Sequence, residues 1–463
     1  MPVFSENIII YMFFFLSYLM LIALMFKKPY SYSYSFFSSI LFLGIVFKYL
    51  LHFFYEHHYI EPIGSFDLDK GDWIPVLTTS AVGAAGLITV RLLQLKISIP
   101  SLSDSNGLQC FSRFFDRRRY ACWGVIFSVV IALSLFNYHF AIYQIGVIPR
   151  LILPFHFNAI IAFLITIAFP LIMTFLLWLS FQSKKTNVKM LGLVVFISLS
   201  TILSLSTLSR SFFLIMTIPL GLLLIYGRHS GFILSISTRM IAIVLVVAAF
   251  SSTVVGVTFL RADVYQLTIS PVISSKSQSE HGNPQSKSNR LLVVDNWKGL
   301  VSTLAVGRWI GLEGIMAVSA HPDKNSDLFM SALKESPSKG ADLTYQRILG
   351  ASNQYAEQDT NKFLFMSVPG PIAFSYISGN YLIVFVFMMI AMLMMIMIEK
   401  LTEAVLANPL SVMFIALSMA YTYMNFYSPY LFLVKVIEVI LLLLIGGLFF
   451  YILGWKKRVE QNG

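Results

Sequence analysis

Apolar runs of about 20 residues recur along the chain, separated by short polar or basic breaks. A helix needs about 20 mostly apolar residues to cross the hydrocarbon of a bilayer. The pattern predicts eleven spans, at about 7–26, 35–55, 73–93, 121–140, 157–181, 190–209, 211–227, 240–260, 379–398, 408–427 and 431–454. The first run has no basic residue ahead of it and no small-x-small site after it, so it reads as a span and not as a cleaved signal. No internal repeat is visible. The expected fold is all-α: a polytopic integral membrane protein of about eleven (10–12) transmembrane helices. Residues 1–260 hold spans one to eight, 261–378 form one large loop of short helices, and 379–463 hold the last three spans and a tail.

The loop changes texture along its length. Residues 273–290 are polar and Ser-rich, which predicts an irregular segment. Residues 295–320 read as a helix with a broad apolar face, on which Gly307, Gly311 and Gly314 form one narrow stripe. A further short helix is expected within 341–357. The apolar stretch 362–378, interrupted by Pro369-Gly370-Pro371, is expected to lie along the membrane or dip into it.

Composition narrows the class. The chain is 57% hydrophobic and only 12% charged, against about 25% charged for a typical soluble domain. Soluble, disordered and nucleic-acid-binding proteins are thereby excluded. The net charge is +11, and its placement gives the orientation. Seventeen Lys and Arg fall on one side: Arg91 at the end of span three, and sixteen in the breaks after spans one, three, five, seven, nine and eleven. Lys70, Arg150 and Arg210 are those in the short breaks on the other. Basic residues stay on the cytoplasmic side, so the C-terminus is expected in the cytoplasm, with the N-terminus and the long loop outside. Cys110 and Cys122 then lie at the cytoplasmic side and stay reduced.

Few spans carry ionisable residues. Lys48 and His52 fall in span two, and Lys435 and Glu438 in span eleven; the latter are three apart, on one helix face, and are expected to pair. The external loop, by contrast, alternates apolar helices with arginines. Guanidinium is always charged and offers a planar fork to phosphate oxygens. Arginines beside apolar helices therefore suit a lipid-linked phosphate or pyrophosphate, with its tail between spans and its head at the interface.

The layout of many spans, abundant Phe and Met, few acids and a large late loop resembles that of the Wzy-type O-antigen polymerases. The local likeness lies in TLSRSFFLIMTIPLG (207–221), VGRWIGLEGIMAV (306–318) and PGPIAFSYISGN (369–380). The family often places a glycine eleven residues after an arginine. Arg210 and Gly221 fit; Arg113 and Gly124 fit too, on the cytoplasmic side; Arg308 has Ser319 in that place. The resemblance implies a multi-pass inner-membrane glycosyltransferase with a periplasmic loop. Donor and acceptor would both be undecaprenyl-pyrophosphate-linked oligosaccharides. The acceptor hydroxyl attacks the anomeric carbon of the donor, and undecaprenyl pyrophosphate leaves. Such enzymes look metal-independent and need no cofactor, with arginines neutralising the leaving pyrophosphate. Membrane lipid and a chain-length regulator are the implied partners. An O-antigen ligase and a polysaccharide flippase remain the alternatives.

Arg308, Arg210 and Glu313 are the candidate catalytic residues, and Arg261, Arg290, Arg150 and His321 the candidate substrate-binding ones. Each has a plainer reading. Arg210 suits an interfacial anchor, and Arg261 a partner for Asp263. The attacking hydroxyl needs a base. Glu313 lies in the most apolar part of the loop, where burial raises a carboxyl pKa; its plainer role is a salt bridge to another loop arginine. His321 is the second candidate, followed by Asp295 and Asp323. Asp67-Leu68-Asp69 spells D-x-D, yet it sits in an acidic stretch that reads as solvated, and no metal site is expected.

Overall fold

A computed structural model describes residues 8–55, 59, 61–68, 72–96, 106–226, 235–264, 309–349 and 366–462. Among these the fold is all-helical. The elements are α1 (Ile8–Met25), α2 (Tyr32–Leu41), α3 (Lys48–Tyr55), α4 (Trp73–Lys96), α5 (Asn106–Phe140), α6 (Phe157–Phe163), α7 (Phe169–Gln182), α8 (Thr186–Ser206), α9 (Arg210–Tyr226) and α10 (Ile236–Val264). Then come the loop helices α11 (Leu312–Ala320), α12 (Ser326–Leu333), α13 (Thr344–Leu349) and α14 (Pro371–Tyr376), followed by α15 (Tyr381–Leu406), α16 (Pro409–Met424) and α17 (Pro429–Asn462). A π-helical segment, Phe42–Phe47, joins α2 to α3, and another, Leu164–Ala168, joins α6 to α7.

Among the described residues nine helical stretches are long and apolar enough to cross a membrane, which makes this a multi-pass membrane protein. They match nine of the expected spans. The other two, at 211–227 and 408–427, are the shorter apolar helices α9 and α16. Local sequence sets several boundaries. Asn380 caps α15 by accepting from the Leu382 amide at 2.8 Å. Asn408, followed by Pro409, caps α16 by accepting from Leu410 at 2.9 Å. An Asn side chain satisfies the first free amides of a helix, and proline at the first helical position has no amide to satisfy.

The helices pack in two groups. In one, α1 and α15 lie on α4, and α2 lies on α16; in the other, α8 is surrounded by α5, α7, α9 and α10. Helix α16 touches α2, α7, α9 and α15 and so joins the groups. The end bearing Lys27 and Lys400 is cross-tied by two buried charges. Arg91, fully buried, donates to the carbonyls of Lys27 and Pro29, both at 2.6 Å, and to Gln94 Oε1 at 2.7 Å. Glu399, 2% exposed, accepts from Ser31 Oγ at 2.9 Å and from the amides of Tyr32 at 2.9 Å and Ser33 at 2.8 Å. A guanidinium thus meets the carbonyl-rich end of α1, and a carboxylate the amide-rich start of α2, as the helix dipole favours.

At the opposite end the long loop folds back into the first group. Helix α11 packs on α4, α13 and α14, and α14 on α4 and α15. Leu312, Ile315, Met316, Val318, Ile372 and Phe374 are all buried. Glycines make the room. A Cβ on Gly44 would overlap the Ile310 carbonyl, one on Gly314 would overlap that of Pro369, and one on Gly83 would lie 2.6 Å from Ile372.

Here one expectation needs correcting. Gly311 and Gly314 do not form a stripe on a single helix over 295–320. Trp309 and Ile310 are not helical, Gly311 has φ 154°, a backbone conformation open to glycine, and the helix starts at Leu312. Gly311 breaks the chain; Gly314, one turn on, seats it against Pro369. Gly307 and 295–308 lie outside the described residues, as do 350–357 of the expected second helix, which is seen as Thr344–Leu349. The apolar 366–378 stretch enters the bundle interior, where the Gly370 amide donates to the Phe426 carbonyl at 3.2 Å.

Candidate functional site

Two clusters of polar groups lie at the loop end, one in each helix group. The first is centred on Glu313. Its Oε1 accepts from Lys48 Nζ in a buried ion pair, with side chains 0% (Lys48) and 3% (Glu313) exposed. The π segment Phe42–Phe47 precedes Lys48 directly, and a π turn shifts the register of every residue after it. Glu313 Oε2 is buried and has no hydrogen-bond partner among the described residues. Burial pushes the Glu313 carboxyl above the ordinary carboxylate value, and Lys48 opposes that shift. The Glu61 charge is felt at Glu313 and at Tyr345, whose phenol is pushed well up, chiefly by burial. Glu313 therefore pairs with a span-two lysine, which corrects the expectation of a loop arginine. His321 follows the end of α11, where its amide donates to the Val318 carbonyl at 3.2 Å. Lys324 caps that end, donating to the carbonyls of Ser319 at 2.9 Å and His321 at 3.1 Å.

The second cluster is made by the turn between α8 and α9. Leu208 adopts a left-handed conformation with φ 53°, which costs a non-glycine residue about 1–3 kcal/mol. Its carbonyl accepts from Arg261 Nε of α10 at 2.8 Å. Two residues on, the half-buried Arg210 opens α9. Thr207 and Ser206 meanwhile hold the segment between α5 and α6. The Ile145 amide donates to the Thr207 carbonyl at 3.1 Å, and buried Asn137 donates to the Ser206 carbonyl at 2.9 Å. Arg150, exposed, closes that segment, its amide donating to the Phe140 carbonyl at 3.1 Å. A cavity of about 250 Å³ opens beside it, lined by Tyr138, His139, Gln144, Arg150, Asp263 and Val264.

The structure thus places Arg261 on the turn that precedes Arg210, and bonds the segment that ends in Arg150 to the same turn through Ile145, although the three come from separate breaks in the sequence. Glu313 and His321 belong to the other helix group. Arg308 and Arg290 lie outside the described residues. In α17, Lys435 Nζ lies 3.4 Å from Glu438 and donates to Thr166 at 2.8 Å, so the expected pair is present. Among the described residues no three His, Cys, Asp or Glu side chains are grouped closely enough to hold a metal ion.

Sequence reasoning gave no role to Lys48, Gln144, His139 or Tyr138. The last three follow Asn137 at the end of span four, and a short turn containing Gly146 is the signal that was there to be used. Compared with family models, with curated proteins and with solved structures, the chain matches none.

Proposed function

We propose that the protein is a membrane glycosyltransferase that polymerises oligosaccharide repeat units carried on undecaprenyl pyrophosphate, at the periplasmic face of the inner membrane. The observation that carries this reading is that the strained Thr207–Leu208 turn leads into Arg210, accepts from Arg261 and is bonded to the segment that ends in Arg150. Arginines carried by elements that meet at one turn suit a pyrophosphate whose lipid tail lies along the apolar helices. Leu208 and the buried Asn137 fix the backbone there, and preorganised donors stabilise charge that builds on a leaving group.

In this reading α9 and α16 are also spans, which gives eleven, with the N-terminus outside and the C-terminus in the cytoplasm. The acceptor sugar hydroxyl attacks the anomeric carbon of the donor. The bond from that carbon to the pyrophosphate oxygen breaks, the arginines neutralise the departing undecaprenyl pyrophosphate, and a carboxylate or histidine takes the hydroxyl proton. Arg308, outside the described residues, keeps in this reading the catalytic role that its sequence context suggests.

A ligase would share the donor and the arginines, so the acceptor decides between them. The test is the surface polysaccharide of a deletion strain. Lipid A-core capped by a single repeat is the expected result. Uncapped core with lipid-linked polymer would make the protein a ligase, and an unchanged polymer would refute both.

A further inference from the structure

We propose that the cavity beside Arg150 is a saccharide subsite that takes one sugar ring through its hydroxyls. The assignment rests on the lipid-linked glycan reading above and names the part of the substrate that this end of the protein grips.

The cavity is built, and its walls are held. Asn137 is fully buried. Its amide nitrogen donates to the carbonyls of Tyr143 at 3.1 Å and Ser206 at 2.9 Å, while its oxygen accepts from the Tyr143 amide at 2.7 Å. Ala141 and Gly146 both have positive φ, 49° and 79°, and the Val147 amide closes the turn on the Gln144 carbonyl at 3.3 Å. The segment is thereby fixed to the end of α8, and Gln144 is held in the cavity wall.

Gln144 supplies the observation that points to a ligand. Its side chain is 7% exposed, and its Nε2 donates to the Tyr138 carbonyl at 3.2 Å. Its Oε1 is buried with no partner among the described residues. A buried acceptor is nearly always satisfied, so this one calls for a donor from a bound molecule. The Asp263 carboxylate, in the same wall, is acceptor-only; Arg150 is donor-only; His139 does both. The ligand must therefore donate to Gln144 and Asp263 and accept from Arg150.

Hydroxyl groups do both. A phosphate at neutral pH offers mainly acceptor oxygens and would meet the Asp263 charge. Arg150, one of the arginines assigned to the pyrophosphate, lines this cavity, so a ring seated here would lie beside the head group. The volume, about 250 Å³, is below the roughly 300–1,000 Å³ of pockets for drug-sized ligands, which suits a single ring.

The test uses the full chain in lipid nanodiscs. A panel of free monosaccharides is screened by saturation-transfer NMR, and sugar-free undecaprenyl pyrophosphate is titrated separately. Wild type should respond to at least one hexose or amino sugar. Asp263→Asn, at an exposed position that keeps its shape, and Gln144→Leu should each weaken that response about tenfold, the effect of losing one strong hydrogen bond. Both should leave binding of the sugar-free lipid unchanged. A panel without any response, or a response that survives both substitutions, overturns the proposal. So does an equal loss of sugar and sugar-free lipid, which would make the cavity part of the phosphate site. If wild type binds a sugar but not undecaprenyl pyrophosphate, the polymerase reading fails while the subsite stands.

Discussion

Replacing Lys48 by methionine should be among the most damaging single changes in this chain. Lys48 is fully buried and Glu313 is 3% exposed, so neither charge is solvated. The methionine leaves a buried carboxylate with no lysine on Oε1 and no partner on Oε2. Breaking a buried pair on one side typically costs about 3–5 kcal/mol, a large share of a stability of about 5–15 kcal/mol. Removing both charges costs far less, because two apolar side chains of similar size need no solvation. The Lys48→Met/Glu313→Leu double variant should therefore recover most of the loss. Acid should rescue the single variant. With Lys48 gone the chief opposing influence is lost, and burial, the largest cause, holds the Glu313 carboxyl above its ordinary value. A carboxyl whose folded value exceeds its unfolded value holds more protons when folded, so stability falls as pH rises through that window and returns as pH drops. Unfolding of the detergent-solubilised protein, followed by helical circular dichroism at two pH values, measures all of this. A single variant within about 1 kcal/mol of wild type, or a double variant no better than the worse single, would refute the argument. The double variant also isolates chemistry from folding: if Glu313 is the base, well-folded protein should make no polymer.

Arg210→Ala and Arg308→Ala should abolish or shorten the polymer while the protein still inserts. The expected loss is about 3–4 kcal/mol of barrier, and Arg308→Lys should restore only part of it, because an ammonium lacks the two-pronged contact; chain-length ladders beside membrane levels read this out. Gly314→Ala should cost about 1–3 kcal/mol through overpacking against the Pro369 carbonyl, seen as a lower unfolding midpoint. A cysteine at Ser286 should react with an impermeant reagent in intact spheroplasts, and one at Ser105 should not; the reverse pattern would invert the topology.

The spans were legible because hydrocarbon demands length and apolarity, and both are written linearly. The depth of the loop was not. An apolar run such as 309–320 reads alike whether it covers a bundle or enters it, and the notch that admits it, Gly44, lies in another span. The helix start was misplaced because a glycine at φ 154° has the same letter as one inside a helix. The Lys48–Glu313 pair spans 265 positions, so both members were visible but their pairing was not. Arg150, Arg210 and Arg261 were each picked out for their charge and side. The bond that brings Arg261 to the turn ahead of Arg210 is made to the Leu208 carbonyl, which a string of side-chain letters does not show. Gln144 was overlooked because its unsatisfied oxygen is a property of the turn that holds it.

Arg91 and Glu399 make the two ends of this protein mechanically unequal. Between them they fasten α1, α2, α4 and α15 at the end bearing Lys27, through bonds from buried charged side chains to backbone groups. A machine that rocks about its middle, exposing a cavity to each side in turn, would have to unfasten that hinge and strand a guanidinium and a carboxylate in a dry interior on every cycle. A scaffold that is riveted at one end and works at the other has no such obligation. Motion should be confined to the loop end, and cross-linking the Lys27 end should leave turnover intact.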